Sequence, residues 1–144
     1  YGGLIDGYFL DDAEIVIVTL GSVVGTVKDA IDAMRSEGKK VGLLKIRSYR
    51  PFPVQALRKA LKDAAVIAVM EKDVAIGGEA GLVTDLKAAF YSSSSRTPII
   101  GFAAGLGGRD ITIKDIRKIV EKAEAARKGD LSEFEFLALR KEIL

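Results

Sequence analysis

Apolar positions along this chain recur with two alternating periods. Residues 14–20, EIVIVTL, are a short continuous run rich in β-branched side chains, the pattern of a strand covered on both faces. Gly21 and Ser22 interrupt it. Ser22 is placed to cap a helix over Val23–Glu37, in which Val23, Val27, Ala30, Ile31 and Met34 recur at helical spacing. Gly38 closes that helix, because glycine enters the left-handed conformation of a C-cap without a Cβ penalty. The pattern then repeats: Lys40–Ile46 as a strand, Pro53–Leu61 as a helix, Ala65–Met70 as a strand, Gly81–Phe90 as a helix and Pro98–Phe102 as a strand. The polar string SSSSRT precedes the last of these and reads as a loop tip. Leu4–Leu10 alternates loosely and predicts an extra edge strand, free to run against the others.

Strand, helix and strand repeated at this spacing predict parallel strands joined by right-handed crossovers, with helices on both faces. Thr112–Arg127 predicts an amphipathic helix with Ile116, Ile119, Val120 and Ala123 on one side. Beyond Gly129, SEFE has the form of a capping box, Ser132 with Glu135, and predicts a last helix carrying Phe134, Leu137 and Leu139. That division makes residues 1–128 an α/β domain and 129–144 a docking helix, too apolar to stand alone in water.

Composition narrows the chemistry more than it narrows the fold. With 144 residues the chain has the size of one domain, and its net charge of +2 carries no basic stripe, so nucleic acid is not the expected partner. Cysteine and histidine are both absent, which excludes disulfides, thiolate ligation of zinc or iron–sulfur clusters, and the commonest general base in this chain. Asparagine is absent too and Gln55 is the sole glutamine; beside plentiful Lys, Arg and Glu this points to a heat-adapted source. No apolar run is long enough to span a membrane, and no signal peptide precedes Tyr1, so a cytoplasmic location is expected. A first residue of Tyr rather than Met suggests a piece of a longer chain or a processed product.

In open α/β sheets ligands bind beyond the carboxyl ends of the parallel strands, where connections reverse direction. Four segments fall there: TLGS (19–22), RSYR (47–50), EKD (71–73) and GLGGRD (105–110). LGSVVG could offer backbone N–H groups to a phosphate, but it matches neither GxGxxG nor the P-loop, and a tight strand-to-helix turn accounts for its glycines equally well. Glu71 and Asp73 have the chemistry of an acid–base pair or a magnesium site, and equally that of solvated strand ends. Pro51 and Pro53 make KIRSYRPFP (45–53) a stiff corner into the next helix. Mechanics does not explain why Arg47, Tyr49, Arg50 and Phe52 crowd that corner; planar cations and aromatics are enriched at protein interfaces.

The run from DDAEIVIVTLGS through KIRSYRPFP, then AVIAVMEKDVAIGGEAG and GLGGRDIT, resembles the C-terminal domain of the α subunit of pyruvate:ferredoxin oxidoreductase, in the 2-oxoacid:ferredoxin oxidoreductase family. The likeness covers about Tyr1 to Lys128. RPFP with GLGGRD is the more specific part; the looser pattern is shared with the C-terminal domains of transketolase and of dehydrogenase β subunits. The resemblance implies a three-layer α/β/α sandwich with a mainly parallel five-stranded sheet and one antiparallel edge strand, transketolase C-terminal domain-like. It also implies a parent enzyme using thiamine diphosphate, magnesium, iron–sulfur clusters and coenzyme A to decarboxylate a 2-oxoacid, pyruvate first among them, and to reduce ferredoxin.

None of those groups is expected in this chain, and no catalytic, cofactor or metal residue of the family carries over. The family's thiamine motif opens with GDG and ends in asparagine, whereas Gly129-Asp130-Leu131 fails it. The expectation is therefore a non-catalytic assembly domain, partnered by other subunits and domains of an oligomeric enzyme, with ferredoxin reached only indirectly and no membrane contact. Arg47, Arg50, Arg109 and Asp110 are the candidates for interface or anion contacts. The alternatives are a domain binding an anionic small molecule, such as a cofactor phosphate or nucleotide, or the equivalent domain of a transketolase or 2-oxoacid dehydrogenase β subunit.

Overall fold

The computed structural model describes residues 5–19, 24–47, 53–71, 81–91, 97–103, 111–127 and 134–136. The strands are β1 (Ile5–Tyr8), β2 (Ile15–Thr19), β3 (Val41–Ile46), β4 (Val66–Glu71), β5 (Ile99–Ala103) and β6 (Phe134–Phe136). The helices are α1 (Val24–Ser36), α2 (Val54–Leu61), α3 (Gly81–Tyr91) and α4 (Ile113–Arg127). The strands form one sheet in the order β1-β3-β2-β4-β5-β6. Only the β1–β3 pair is antiparallel, with Ile5 opposite Ile46 and Tyr8 opposite Leu43.

The continuous apolar runs explain why both faces of this sheet are covered. Side chains alternate along a strand, so Ile15 and Ile17 join Val27, Ala30, Ile31 and Met34 of α1 and Ile116, Ile119, Val120 and Ala123 of α4 in one core. Val16 and Val18 face the other way, into a second core with Leu57 and Leu61 of α2 and Leu82 and Leu86 of α3. From β2 the chain passes through α1 to β3 on one side, then returns through α2 to β4 on the other. That reversal puts α1 and α2 on opposite faces when both crossovers are right-handed, and it leaves a topological switch point between β2 and β4.

Helix ends follow the sequence signals where these can be read. Gly38 has φ of 90°, its N–H donates to the Arg35 carbonyl at 3.0 Å, and the Lys39 N–H donates to the Met34 carbonyl at 3.0 Å, the pairing of a Schellman cap. Pro53 stands at the N-cap of α2, and its carbonyl accepts from the Leu57 N–H at 2.9 Å. At α4 a reciprocal box closes: the Thr112 N–H donates to Asp115 Oδ2 at 3.0 Å, and the Asp115 N–H donates to Thr112 Oγ1 at 3.2 Å. Ser22 lies outside the described residues.

One expected element is corrected at residues 134–136. These form a short strand, with Phe134, Glu135 and Phe136 opposite Gly101, Phe102 and Ala103 of β5, and do not open a helix. The FEF string has the period of two that suits a strand. Pairing along the otherwise open edge of β5 also satisfies a row of backbone groups, which outweighs a capping interaction of about 1 kcal/mol. Among the described residues the sheet therefore has six strands, the five expected and this addition. Ser132, Leu137 and Leu139 lie outside the described residues.

Candidate functional site

Register places the strand ends that matter at one edge. Thr19, the last residue of β2, stands opposite Lys45 of β3 and Met70 of β4, while Glu71 of β4 stands opposite Ala103 of β5. The carboxyl ends of β2, β3, β4 and β5 thus lie at one edge, on either side of the switch point. Thr19 is buried there at 1% exposure. Arg47 follows β3 directly and is exposed, as a residue offering its guanidinium to a partner must be. The other three candidates, Arg50, Arg109 and Asp110, lie outside the described residues, as do Ser22 and Asp73. The structure therefore brings Arg47, Thr19 and the end of β4 to one edge, and the joint geometry of the four candidates belongs to the reading proposed below.

The opposite edge carries a polar framework that sequence reasoning missed. Arg35, in the last turn of α1, is its centre. Its guanidinium donates to the Val41 carbonyl at 3.1 Å, to the Phe9 carbonyl at 3.0 Å and to Asp12 Oδ2 at 3.0 Å, and lies 4.7 Å from the centroid of the Phe9 ring. One side chain thus fastens the β1–β2 connection to α1 and the start of β3. Phe9 is held at φ of 57°, a left-handed conformation that costs a side-chain-bearing residue about 1 to 2 kcal/mol. Tyr8 meets the Phe9 ring edge-on at 4.9 Å, donates its hydroxyl to Asp32 Oδ1 at 2.6 Å, and carries Lys28 Nζ 5.0 Å above its own ring.

Ion pairs continue this framework along α4. Arg117 makes a forked contact with Glu37 at 3.0 and 2.6 Å, Lys39 reaches Glu124 at 3.4 Å, and Arg127 meets Glu14 at 2.6 Å. The Arg117 hydrogen bonds hold the Glu37 carboxyl below its ordinary range, and those from Arg127 and Arg35 do the same for Glu14 and Asp12. The hydrogen bond to Asp32 pushes the Tyr8 hydroxyl up, since it favours the protonated phenol. These pairs are 23, 80 and 113 residues apart in sequence, so no local pattern announces them.

No group of three His, Cys, Asp or Glu among the described residues is arranged to hold a metal ion. Likewise, none of the described helices is long and apolar enough to cross a membrane.

A doubly wound sheet with its reversal between β2 and β4 and one antiparallel edge strand defines an α/β sandwich domain. Among solved structures the fold is shared with a split-gene transketolase, at a TM-score of 0.65 and 18% identity, covering 85% of this chain and 42% of that one. It is shared also with a 2-oxoglutarate:ferredoxin oxidoreductase from Magnetococcus marinus, at a TM-score of 0.60 and 21% identity, covering 83% of this chain and 19% of the other. The chain belongs to the pyruvate:ferredoxin oxidoreductase core domain II family, which it matches over residues 13–116.

Its relatives include pyruvate synthase subunit PorA of Methanosarcina barkeri, 47% identical over 100% of this chain and 36% of the relative. The PorA subunit of Pyrococcus abyssi is 43% identical, over 97% of this chain and 36% of its own. The ketoisovalerate oxidoreductase subunit VorA of Pyrococcus furiosus is 41% identical, over 84% and 31%. The chain thus spans about a third of the length of the curated relatives it matches.

Proposed function

We propose that this chain is a non-catalytic assembly domain of a thiamine-diphosphate-dependent 2-oxoacid:ferredoxin oxidoreductase, the enzyme that converts a 2-oxoacid and coenzyme A to acyl-CoA and carbon dioxide while reducing ferredoxin. The observation that carries this reading is the family match over residues 13–116, joined to a pyruvate synthase subunit that aligns along the whole chain at 47% identity. Pyruvate is the substrate we assign, because that subunit, at 47%, exceeds the 41% reached by the ketoisovalerate enzyme's subunit.

The donor set of this chain does not fit the parent enzyme's cofactors. With no cysteine it supplies no thiolate to an iron–sulfur cluster, and with no asparagine it cannot complete the family's thiamine motif. Thiamine diphosphate, magnesium, the clusters and coenzyme A are assigned to other domains and subunits, and ferredoxin meets those rather than this chain. The work left to this domain is geometric. Arg47, Arg50, Arg109 and Asp110 form a rim of charged contacts to neighbouring parts of a cytoplasmic oligomer, and residues 129–144 serve as a docking segment. Forked arginine–carboxylate pairs fix orientation as well as distance, which suits them to holding two halves of an active site in register.

The test is purification of the full-length polypeptide containing this chain with whatever subunits accompany it. Ferredoxin reduction dependent on pyruvate and coenzyme A is the expected result; an assembled complex inert toward every 2-oxoacid offered contradicts the reading.

A further inference from the structure

The face made by β1, the β1–β2 connection and the exposed side of α1 has no part in the rim described above, yet it holds the one non-glycine residue among those described with a left-handed φ. Phe9 is 49% exposed, so burial does not explain its ring. The turn does not explain it either, since glycine or asparagine takes this φ with less strain. The ring is nonetheless fixed from two sides, by the Arg35 guanidinium at 4.7 Å and by Tyr8 at 4.9 Å. An aromatic held rigid and half in solvent has the form of an interface anchor, because little rotamer freedom is left to lose on contact.

Beside the ring lies an open depression of about 600 Å³, with Phe9 and Leu10 as apolar wall and Asp6, Asp11 and Asp12 as acidic rim. Arg35 takes up the charge of Asp12 through a 2.7 Å contact. Asp6 and Asp11, both exposed, give the rim its negative sign. An apolar wall below a carboxylate rim complements a lysine or arginine side chain: the methylene stem lies on the ring, and the cation reaches the carboxylates.

We propose that this face docks a lysine- or arginine-bearing segment of another subunit, with Phe9 as its anchor; the inference rests on the assembly reading. The test places p-benzoylphenylalanine at position 9 of the full-length subunit, irradiates the assembled enzyme and maps the crosslinked peptide. The expected peptide belongs to a different subunit and has Lys or Arg beside the crosslink. The double variant Asp6→Lys/Asp11→Lys is expected to cut its yield about tenfold, and Phe9→Gly, which keeps the backbone conformation, to raise the subunit dissociation constant about tenfold. Absence of a crosslink, a crosslink to a second copy of this chain, or one within the same polypeptide overturns the proposal. Ferredoxin reduction by the same preparation separates the two readings: an active complex without the crosslink sinks only the docking face, whereas a crosslinked complex inert toward 2-oxoacids sinks only the enzymatic assignment.

Discussion

Gly42 marks a close approach of the β1–β2 connection to the sheet. A Cβ built there meets the Phe9 carbonyl oxygen at 2.5 Å and Ala13 Cβ at 2.9 Å, and main chain cannot yield as a flexible side chain does. Gly42→Ala is therefore expected to lower stability by about 1 to 3 kcal/mol, read from the midpoint of denaturant unfolding at constant m-value. A midpoint equal to that of the parent protein contradicts this packing. Neither this contact nor the Arg35 fork was legible in the sequence. A glycine inside a β-branched strand signals that something comes close, without saying what, and Arg35 reaches partners 23 and 26 residues away through tertiary geometry alone. Arg47 was legible because its place depends only on where β3 ends.

At the scale of elements, local patterns specified most of what formed. The β-branched runs became strands buried on both faces, and Gly38 closed α1 in the conformation only glycine adopts without strain. The terminal segment failed for a physical reason. SEFE carries a local capping signal, but the partner that decides between helix and strand, the free edge of β5, lies 33 residues away, as Gly101 opposite Phe134 shows. The ion pairs that α4 makes with Glu14 and Glu37 predict a particular response to acid. Glu14 and Glu37 have folded-state pKa values held below the ordinary 4.5, so the unfolded chain binds more protons around that pH. Their stabilisation is complete above the ordinary value and is lost as pH falls through the lower folded ones. Glu14→Gln/Glu37→Gln is accordingly expected to flatten the acid limb of a stability-versus-pH curve between about pH 5 and pH 2 and to leave its slope near neutrality unchanged. An acid limb as steep as the parent's contradicts the assignment. High salt, which screens exposed pairs, is expected to narrow the difference.

For the molecule as a whole, two apolar cores hold one sheet between two helical layers, and the chain's chemistry is consigned to its edges. Alternation of periods sufficed to read that architecture, because each strand's two faces report directly on the layers above and below it. The family was legible only through motif order. RPFP and GLGGRD point to it by resemblance, and the absence of cysteine and histidine narrowed the chemistry more than any single residue did. On the reading proposed above, the rim positions subunits and takes no part in turnover. The measurement that addresses it most directly is the combined variant Arg47→Ala/Arg50→Ala/Arg109→Ala in the assembled oxidoreductase, with subunit dissociation and ferredoxin reduction per intact complex determined on the same preparation. Loss of two or more desolvated forked pairs predicts subunit association weakened by about a hundredfold with kcat per intact complex unchanged. A fall in kcat while association stays at the parent value contradicts the claim and makes the rim part of a ligand site.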